Sequence, residues 1–463
     1  MPRTSVWRLL PTLGLLIGVA LLAPRRAAHA NGRFPAAQHV VIGPGASSDV
    51  IALRVTFGLI LSTDGGRTFR WMCEEGLYVP FVPRLEFDPP IELSARRAVV
   101  FGYEIGIRYL TDTCKAEDVR EVRSRSFSDL TSDPTGRILY AVEDTEGMPG
   151  AVYRGDGDND TPTFARQGSG VRGVRFDTIE VAPSNPMRLY LSARSIPDEL
   201  PSLYRSDDGG VTLTPLPRMG ELADSLWVSG VDPRDPDTLY VRAARGLDTE
   251  LRRSRDGGRT FQRVLTLPEP MLGFALSDDG RTVWVGSVSG GLLRSEDGGD
   301  TFRVVHRLPI MCLRQHAGAL YACSEWTLQG FILGRSRDRG DTFEPVLQVT
   351  DEARFLGPGT CASPSEGAMI CAERWPAFRR SLVDAEQFLN DDGGVAPSFR
   401  DAGRRDATVR DGASDATAGI DAGPPTAPAD PCGCRVPGAG TQRAPAIWGA
   451  ALLALFAARR RRR

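Results

Sequence analysis

The fold is indicated by a repeated octapeptide, Ser254-Arg255-Asp256-Gly257-Gly258-Arg259-Thr260-Phe261. Residues 62–69 and 295–302 match it closely, and residues 206–213 and 336–343 are looser copies. The common pattern is S-x-D-x-G-x-T-F. This pattern predicts a β-turn in which Asp accepts backbone N–H groups and Gly adopts φ > 0, before Thr-Phe begins the next strand.

The spacing of the copies gives the number of repeating units. Their first serines stand at positions 62, 206, 254, 295 and 336, so the gaps are 144, 48, 41 and 41 residues. The first gap equals three units of 48, which predicts two degenerate units with turns near residues 109–112 and 153–156. A β-rich segment precedes the turn in each unit. Seven units of about 40–50 residues with four short strands each predict an all-β, seven-bladed β-propeller.

The octapeptide resembles the Asp-box, also called the BNR repeat, and five copies make that resemblance specific. It implies a propeller like those of sialidases, xyloglucanases and sortilin-type receptors. The Asp residues of the copies are then structural rather than catalytic: Asp64, Asp208, Asp256, Asp297 and Asp338. Residues 354–356 and 368–372 look like two further strands, which leaves open an eighth, partial blade or a cap over the seventh.

Composition and charge exclude several classes of protein. The chain has 463 residues with 50 Gly and 34 Pro, which disfavours a fold of long helices. Apolar residues make up 41%, enough for a globular core. The net charge of −2 provides no basic field for nucleic acid. We therefore expect no nucleic-acid partner, and a monomeric propeller over residues 31–389.

The N-terminal residues 1–30 have the pattern of a secretory signal peptide. Arg3 and Arg8 precede an apolar run at residues 9–22, and Ala28-His29-Ala30 is an A-x-A cleavage pattern. Two arginines close to the cleavage site leave an uncleaved anchor open. Export places the protein in an oxidising compartment.

The C-terminal part divides into a linker and a tag. Residues 390–431 are rich in Asp, Ala, Gly and Pro and nearly lack large apolar side chains, which predicts a disordered linker. Residues 432–463 combine Cys432-Gly433-Cys434-Arg435, a short apolar run and five terminal arginines. This order resembles the myxobacterial C-terminal sorting domain (MYXO-CTERM). It implies processing or lipidation at Cys432 and Cys434 and retention at the cell envelope; the alternative is an ordinary short membrane anchor.

Six cysteines lie in the propeller region and are disulfide candidates: Cys73, Cys114, Cys312, Cys323, Cys361 and Cys371. Six cysteines allow fifteen pairings. Proximity in sequence favours Cys312–Cys323 and Cys361–Cys371, which leaves Cys73 for Cys114 by elimination. A metal site is disfavoured, since the chain has no C-x-x-C and its histidines are scattered.

Residues 156–161 are the one candidate for metal binding, and no other cofactor is indicated. Asp156, Asp158 and Asp160 give the D-x-D-x-D start of a calcium loop. The Gly at position six and the Glu at position twelve are missing; Gln167 stands at the latter. Calcium binding is therefore a hypothesis beside the simpler interpretation, a solvated turn between two strands.

No catalytic residue can be assigned from the sequence. The chain has no Ser/His/Asp set, P-loop or dinucleotide fingerprint, and it lacks the Arg-Ile-Pro motif expected of a sialidase. Trp227, Trp326 and Trp375 are candidates for stacking against sugars. We expect Trp227 and Trp375 in the core and Trp326 in a surface loop.

We therefore expect an exported, envelope-tethered propeller that binds an extracellular protein or polysaccharide. The alternative is a glycoside hydrolase, sialidase- or xyloglucanase-like, acting on extracellular glycans. Paired carboxylates facing each other across the propeller channel would favour hydrolysis. A channel lined by Ser, Gly and apolar groups would favour binding. A third possibility, a structural spacer, predicts no ligand pocket.

Overall fold

The computed structural model describes residues 36–78, 89–219, 223–325 and 330–391. Seven four-stranded antiparallel sheets follow one another along the chain, each pairing its strands in sequence order. The first strands of neighbouring sheets contact each other around a closed ring, the seventh against the first. The seven-bladed β-propeller predicted from the repeats is confirmed. The predicted signal peptide and tag, with Cys432 and Cys434, lie outside the described residues, as do Trp326 and nearly all of the linker.

The first four blades come from the strands of residues 37–215. Blade 1 is β1 (Ala37–Ile42), β2 (Ile51–Val55), β3 (Gly58–Ser62) and β4 (Arg70–Cys73). Blade 2 is β5 (Ile91–Leu93), β6 (Val99–Tyr103), β7 (Gly106–Leu110) and β8 (Glu117–Asp118). Blade 3 is β9 (Phe127–Ser132), β10 (Ile138–Glu143), β11 (Gly150–Asp156) and β12 (Thr163–Val171). Blade 4 is β13 (Val174–Ala182), β14 (Asn185–Ser195), β15 (Pro201–Ser206) and β16 (Thr214–Pro215).

The remaining three blades and the helices complete the described chain. Blade 5 is β17 (Ser225–Val231), β18 (Leu239–Arg245), β19 (Asp248–Ser254) and β20 (Gln262–Leu267). Blade 6 is β21 (Met271–Leu276), β22 (Val283–Ser287), β23 (Gly291–Ser295) and β24 (Arg303–His306). Blade 7 is β25 (Cys312–His316), β26 (Ala319–Cys323), β27 (Leu333–Ser336) and β28 (Glu344–Leu347). The α-helices are α1 (Glu74–Tyr78) and α2 (Glu366–Asp391), beside two short 3-10 turns, Gly45–Ser47 and Arg120–Val122.

The two additional strands expected after blade 7 do not form an eighth blade. Residues 368–372 belong to α2, and Ser365 begins this helix, because its hydroxyl accepts the N–H of Ala368 at 3.2 Å. Short apolar runs of this kind fit a strand or a buried helix equally well. Phe355 instead pairs in parallel with Phe69, next to β4 of blade 1.

The antiparallel order of each blade gives the propeller two distinct faces. The turns between first and second strands and between third and fourth strands lie on one face, which we call the box face. The turns between second and third strands, and the connections from blade to blade, lie on the other, which we call the open face. The five octapeptides all connect third and fourth strands, so they share the box face.

Each octapeptide forms the same hydrogen-bonded turn, which we call a box turn. In blade 5 the Ser254 hydroxyl donates to Asp256 Oδ1 at 2.8 Å and accepts the Gly258 N–H at 2.9 Å. Thr260 donates its N–H to Oδ1 at 2.9 Å and its hydroxyl to Oδ2 at 2.6 Å. The contacts of Ser, Gly and the Thr N–H recur in the other four copies. The carboxylates of these turns therefore accept hydrogen bonds from their own turn and stabilise its conformation.

Aromatic side chains join blades 3 to 7 through the middle strands. The hydroxyl groups of Tyr140, Tyr190 and Tyr240 donate to carbonyl oxygens of the following blade at 2.7–2.9 Å. Trp284 in blade 6 donates its indole N–H to the Arg339 carbonyl of blade 7 at 2.9 Å. These buried donors are satisfied by the neighbouring blade, which fixes the angle between blades.

All six predicted cysteines form disulfides, but two of the three expected pairings are wrong. Cys312–Cys323 links β25 to β26 as predicted. The others are Cys73–Cys371 and Cys114–Cys361, with sequence separations of 298 and 247 residues. Proximity in sequence failed because the chain after blade 7 returns to blades 1 and 2. Within the described residues, no helix is both long and apolar enough to cross a membrane.

Candidate functional site

Charged and ionisable side chains from five blades converge in the channel that the inner strands enclose. Arg314 of β25 acts electrostatically on Glu92 of β5, Glu180 of β13 and His39 of β1. Asp129 of β9 interacts in turn with Glu92 and Glu180, and Arg54 of β2 acts on Asp129 and His39. Groups from blades 1, 2, 3, 4 and 7 can influence one another in this way only near the axis. We call these six residues the channel cluster.

Two carboxyl groups of the channel cluster also join neighbouring blades. Asp129 accepts the N–H of Ile179 in blade 4 at 2.9 Å through Oδ2, and its own neighbour's N–H, that of Leu130, at 3.0 Å through Oδ1. Glu92 accepts the Leu93 N–H at 2.8 Å and is hydrogen-bonded by Ser132 of blade 3. Glu92 and Asp129 are therefore part of the channel wall.

Glu180 and Arg314 differ from that pair. Within the described part of the chain, neither side chain has a hydrogen-bond or salt-bridge partner at contact distance. They belong to blades 4 and 7, which lie on opposite sides of a ring of seven. Both side chains are half-buried. The channel thus presents an acid and a guanidinium from opposing walls.

Burial sets the protonation states in the channel cluster. It raises the pKa of Asp129 to about 7, outweighing the N–H groups of Ile179 and Leu130 that lower it. Burial, together with the nearby Asp129, raises the pKa of Glu180 well above its ordinary value. Burial lowers the pKa of His39 to about 3, helped by Arg54 and Arg314. His39 is therefore uncharged at neutral pH, and burial favours the protonated form of the Glu180 carboxyl.

The open face carries exposed aliphatic side chains on four consecutive blades. They lie in the turns between second and third strands: Met148 in blade 3, Ile196 and Leu200 in blade 4, Leu247 in blade 5 and Val288 in blade 6. Leu247 is the most exposed of them, at 79%. We call these five residues the aliphatic tips. All the large exposed hydrophobic residues in the described ranges are aliphatic, and none is aromatic.

The turn of blade 4 that carries two aliphatic tips is held firmly. Arg194 binds Asp177 through two nitrogens, at 2.6 and 2.9 Å, and also reaches Glu199 at 3.1 Å. The Ile196 N–H donates to the Gly173 carbonyl at 2.8 Å, which ties the turn to the connection from blade 3. The apolar tips of blade 4 therefore lie on a turn that hydrogen bonds and ion pairs hold in place.

The hypothetical calcium loop is organised by hydrogen bonds and ion pairs. Asp156 accepts the Asn159 amide at 2.6 Å and the Asp158 N–H at 3.0 Å. Asp158 lies 3.8 Å from both Arg96 and Arg137. In the ranges that the structure describes, no group of three His, Cys, Asp or Glu side chains is arranged to hold a metal ion. Calcium binding through Asp156, Asp158 and Asp160 stays a prediction.

Two of the tryptophans considered for sugar stacking are occupied by other contacts. Trp227 is buried, and the guanidinium of Arg242 lies 4.7 Å from its ring centroid. Trp375 packs on Trp71 at 5.5 Å and on Phe355 at 5.2 Å between ring centroids. Neither side chain presents an open ring to a sugar.

The channel cluster and the aliphatic tips were both missed by the sequence analysis. A signal existed for Glu180, which interrupts the apolar residues Ile179 and Val181 in an inner strand. No pattern marks the tips, because single apolar residues in Gly-containing turns are common on protein surfaces. Side chains from blades 1, 2, 3, 4 and 7 meet only when the ring is closed, and the spacing of the repeats along the sequence does not show which side chains face the channel.

Comparison with known proteins adds little to this description. No family model matches the chain, and no curated protein matches it either. An ancestral GH74 enzyme aligns with a TM-score of 0.48 and 14% identity, covering 66% of this chain and 46% of that one. The GH74 enzyme of Niastella koreensis aligns with a TM-score of 0.32 and 15% identity, covering 66% and 62%. The chain thus spans less than two thirds of either enzyme, and the fold rests on the seven sheets themselves.

Proposed function

We propose that this protein is an exported propeller, tethered to the cell envelope, that binds another extracellular protein through its open face. The observation that carries the proposal is the set of aliphatic tips on four consecutive blades. Burial of apolar surface drives most protein association, and the turns of four consecutive blades each expose aliphatic side chains on this face. Sugars pack by their C–H faces on flat aromatic rings, so aliphatic tips favour a protein over a polysaccharide.

Three disulfides support the exported location. Intracellular thiols are kept reduced in most organisms, whereas disulfides persist outside the cytoplasm. The predicted signal peptide and C-terminal tag agree with this location and would tether the propeller through residues 390–463. The tether would leave the propeller face free to meet a partner.

Photo-crosslinking on intact cells tests the proposal. A photoreactive amino acid replaces Leu247 on the open face in one variant and Val211 on the box face in the other. Val211 is a matched control, because it is also an exposed aliphatic residue, at 51%. We expect a discrete crosslinked species from position 247 and none from position 211. Equal crosslinking from both positions, or none from 247, would overturn the proposal.

A second candidate function, glycan hydrolysis, is favoured by the channel cluster. The raised pKa of Glu180 suits a general acid, and Asp129, whose pKa is about 7, is partly ionised at neutral pH and suits a general base. The test is incubation of the full-length protein with sialosides and β-glucan oligosaccharides, with and without calcium, and product analysis by mass spectrometry. Turnover that disappears in Glu180→Gln would replace the binding proposal, whereas no turnover supports it.

A further inference from the structure

The ring has a junction between its last and first blades that no strand bridges in the described part of the chain. Blade 1 is made wholly of strands from residues 37–73, and blade 7 wholly of strands from residues 312–347. The inner strands β1 and β25 contact each other across this junction. Every other junction is crossed by the chain itself, whereas this one needs another connection.

Residues 348–391, which we call the strap, cross that junction. After β28 the chain runs along β4 of blade 1. The Phe69 N–H donates to the Arg354 carbonyl at 2.8 Å, and the Leu356 N–H returns to the Phe69 carbonyl at 3.1 Å. The Trp71 N–H then donates to the Gly357 carbonyl at 2.9 Å. The strap thereby forms a parallel β-bridge beside β4, the outer strand of blade 1.

Two disulfides fix the strap to the first two blades. Cys371 is bonded to Cys73 at the end of β4, and Cys361 is bonded to Cys114 between β7 and β8. The Ser365 hydroxyl donates to the Cys114 carbonyl at 2.7 Å. The Cys73–Cys371 disulfide closes residues 73–371, from the end of β4 through blades 2 to 7 and the strap, into a covalent circle.

The helical part of the strap packs closely on blade 1. Phe378 stacks on Trp71 with ring centroids 4.7 Å apart. A Cβ at Gly76 would lie 2.4 Å from the Cys371 sulfur and 2.8 Å from the Gly367 carbonyl, so α1 and α2 meet where neither has a side chain. Arg379 donates to the carbonyl oxygens of Val349 and Thr350 at 2.6 and 2.8 Å, which holds the strap against its own start.

We infer that the strap is a disulfide-locked closure of the propeller ring, so that closure depends on an oxidising compartment. This inference goes beyond the proposed binding function. Cys312–Cys323 has no such role, because it joins adjacent strands of one blade. Loss of the two long-range disulfides should loosen the junction between blades 7 and 1, while blades 4 and 5 keep their protection.

Hydrogen exchange on the full chain, read by mass spectrometry, tests this closure. One variant combines Cys73→Ser, Cys371→Ser, Cys114→Ser and Cys361→Ser; the control combines Cys312→Ser and Cys323→Ser. We expect amides of β1 and β4 to exchange at least tenfold faster in the first variant. In blade 5, and in β1 of the control, exchange should stay within about threefold of the unmodified protein.

A second measurement covers the case in which the cysteine variant does not fold. A protease site placed beside Glu352, whose side chain is 79% exposed, lets the covalent circle be cut after folding, with the disulfides intact. Cutting should speed exchange in β1 as removal of the disulfides does. Dithiothreitol, added afterwards, reduces each disulfide to two thiols and is itself oxidised to its cyclic disulfide; it should add little at β1.

Two results would overturn the inference. Unchanged exchange at β1 after cutting would mean that packing alone closes the ring. An equal rise in all seven blades would mean that the disulfides add general stability and do not act at this junction. A rise confined to the strap, β1, β4 and β25 supports it.

Discussion

The pKa values of the carboxyl groups are lowered in the box turns and raised in the channel cluster. Hydrogen bonds from Thr260 and Ser254 lower the pKa of Asp256 to about 2. Burial raises the pKa of Asp129 to about 7 and that of Glu180 well above its ordinary value. The repeated carboxylates stabilise the scaffold, whereas the unrepeated carboxyl groups are maintained at a cost in stability, which is typical of functional sites.

The largest expected effect comes from removing a box-turn carboxylate. Asp256→Ala leaves the Thr260 N–H and the Thr260 and Ser254 hydroxyl groups without their acceptor. We expect the free energy of unfolding to fall by roughly 2–3 kcal/mol, at about 1 kcal/mol for each hydrogen bond. Urea denaturation measures the loss. Asp160→Ala, at an exposed position, is the control, and a loss below about 1 kcal/mol in Asp256→Ala would contradict a scaffold role.

A channel carboxyl should behave in the opposite way. Glu180→Gln removes an acid whose ionised form is disfavoured by burial and by Asp129. At pH 8 we expect it to raise the free energy of unfolding, because it removes the cost of ionising a carboxyl group whose pKa burial raises. The difference should shrink as the pH is lowered, because protonation removes the charge that burial disfavours in Glu180. Destabilisation at pH 8 would show that ionised Glu180 is held by the fold; Glu146→Gln, on an exposed turn, is the control.

The pH dependence of stability should show both regions at once. Folded Asp129 keeps its proton up to about pH 7, while unfolded Asp releases it near pH 4, so this group lowers stability as pH rises from about 4 to 7. Asp256 has its pKa lowered to about 2, so its contribution is present above about pH 4 and lost as pH falls towards 2. Thermal unfolding from pH 2 to 8 measures this. We expect Asp129→Asn to reduce the change in stability between about pH 4 and pH 7 and to leave the change below about pH 4 as it is. A different pH dependence below about pH 4 would contradict the assignment.

The smallest expected effect tests the one box turn that departs from the glycine pattern. In blade 7, Arg339 takes the left-handed conformation, with φ of 63°, where Gly257 of blade 5 has 72°. Arg339→Gly should raise the free energy of unfolding by about 0.5 kcal/mol, because glycine adopts this conformation without strain. The contacts of its carbonyl with Trp284 and Arg294 do not need the side chain. A fall in the urea midpoint would show that the side chain itself matters.

The sequence predicts the repeated features of this molecule better than the features that depend on closure of the ring. Repetition predicted the number of blades, because each repeating unit supplies one four-stranded sheet. Proximity along the chain predicted Cys312–Cys323 but not Cys73–Cys371, because ring closure brings residues 298 apart into contact. Glu180 could not be placed beside Asp129 and Arg314 for the same reason. A repeated motif predicts local structure such as the box turns. The contacts between side chains of the channel cluster depend on closure of the ring, which a repeat does not describe.

The most direct test of the account compares charge on the two faces in a capture experiment. Immobilised full-length protein is incubated with envelope extract of the source cells, and bound proteins are quantified for three forms. These are the unmodified chain, an open-face variant (Ile196→Asp with Leu247→Asp) and a box-face variant (Met187→Asp with Val211→Asp). All four positions are exposed and aliphatic. We predict that capture of one protein falls at least tenfold with the open-face variant alone; equal capture by all three forms, or a loss confined to the box-face variant, would contradict binding through the open face.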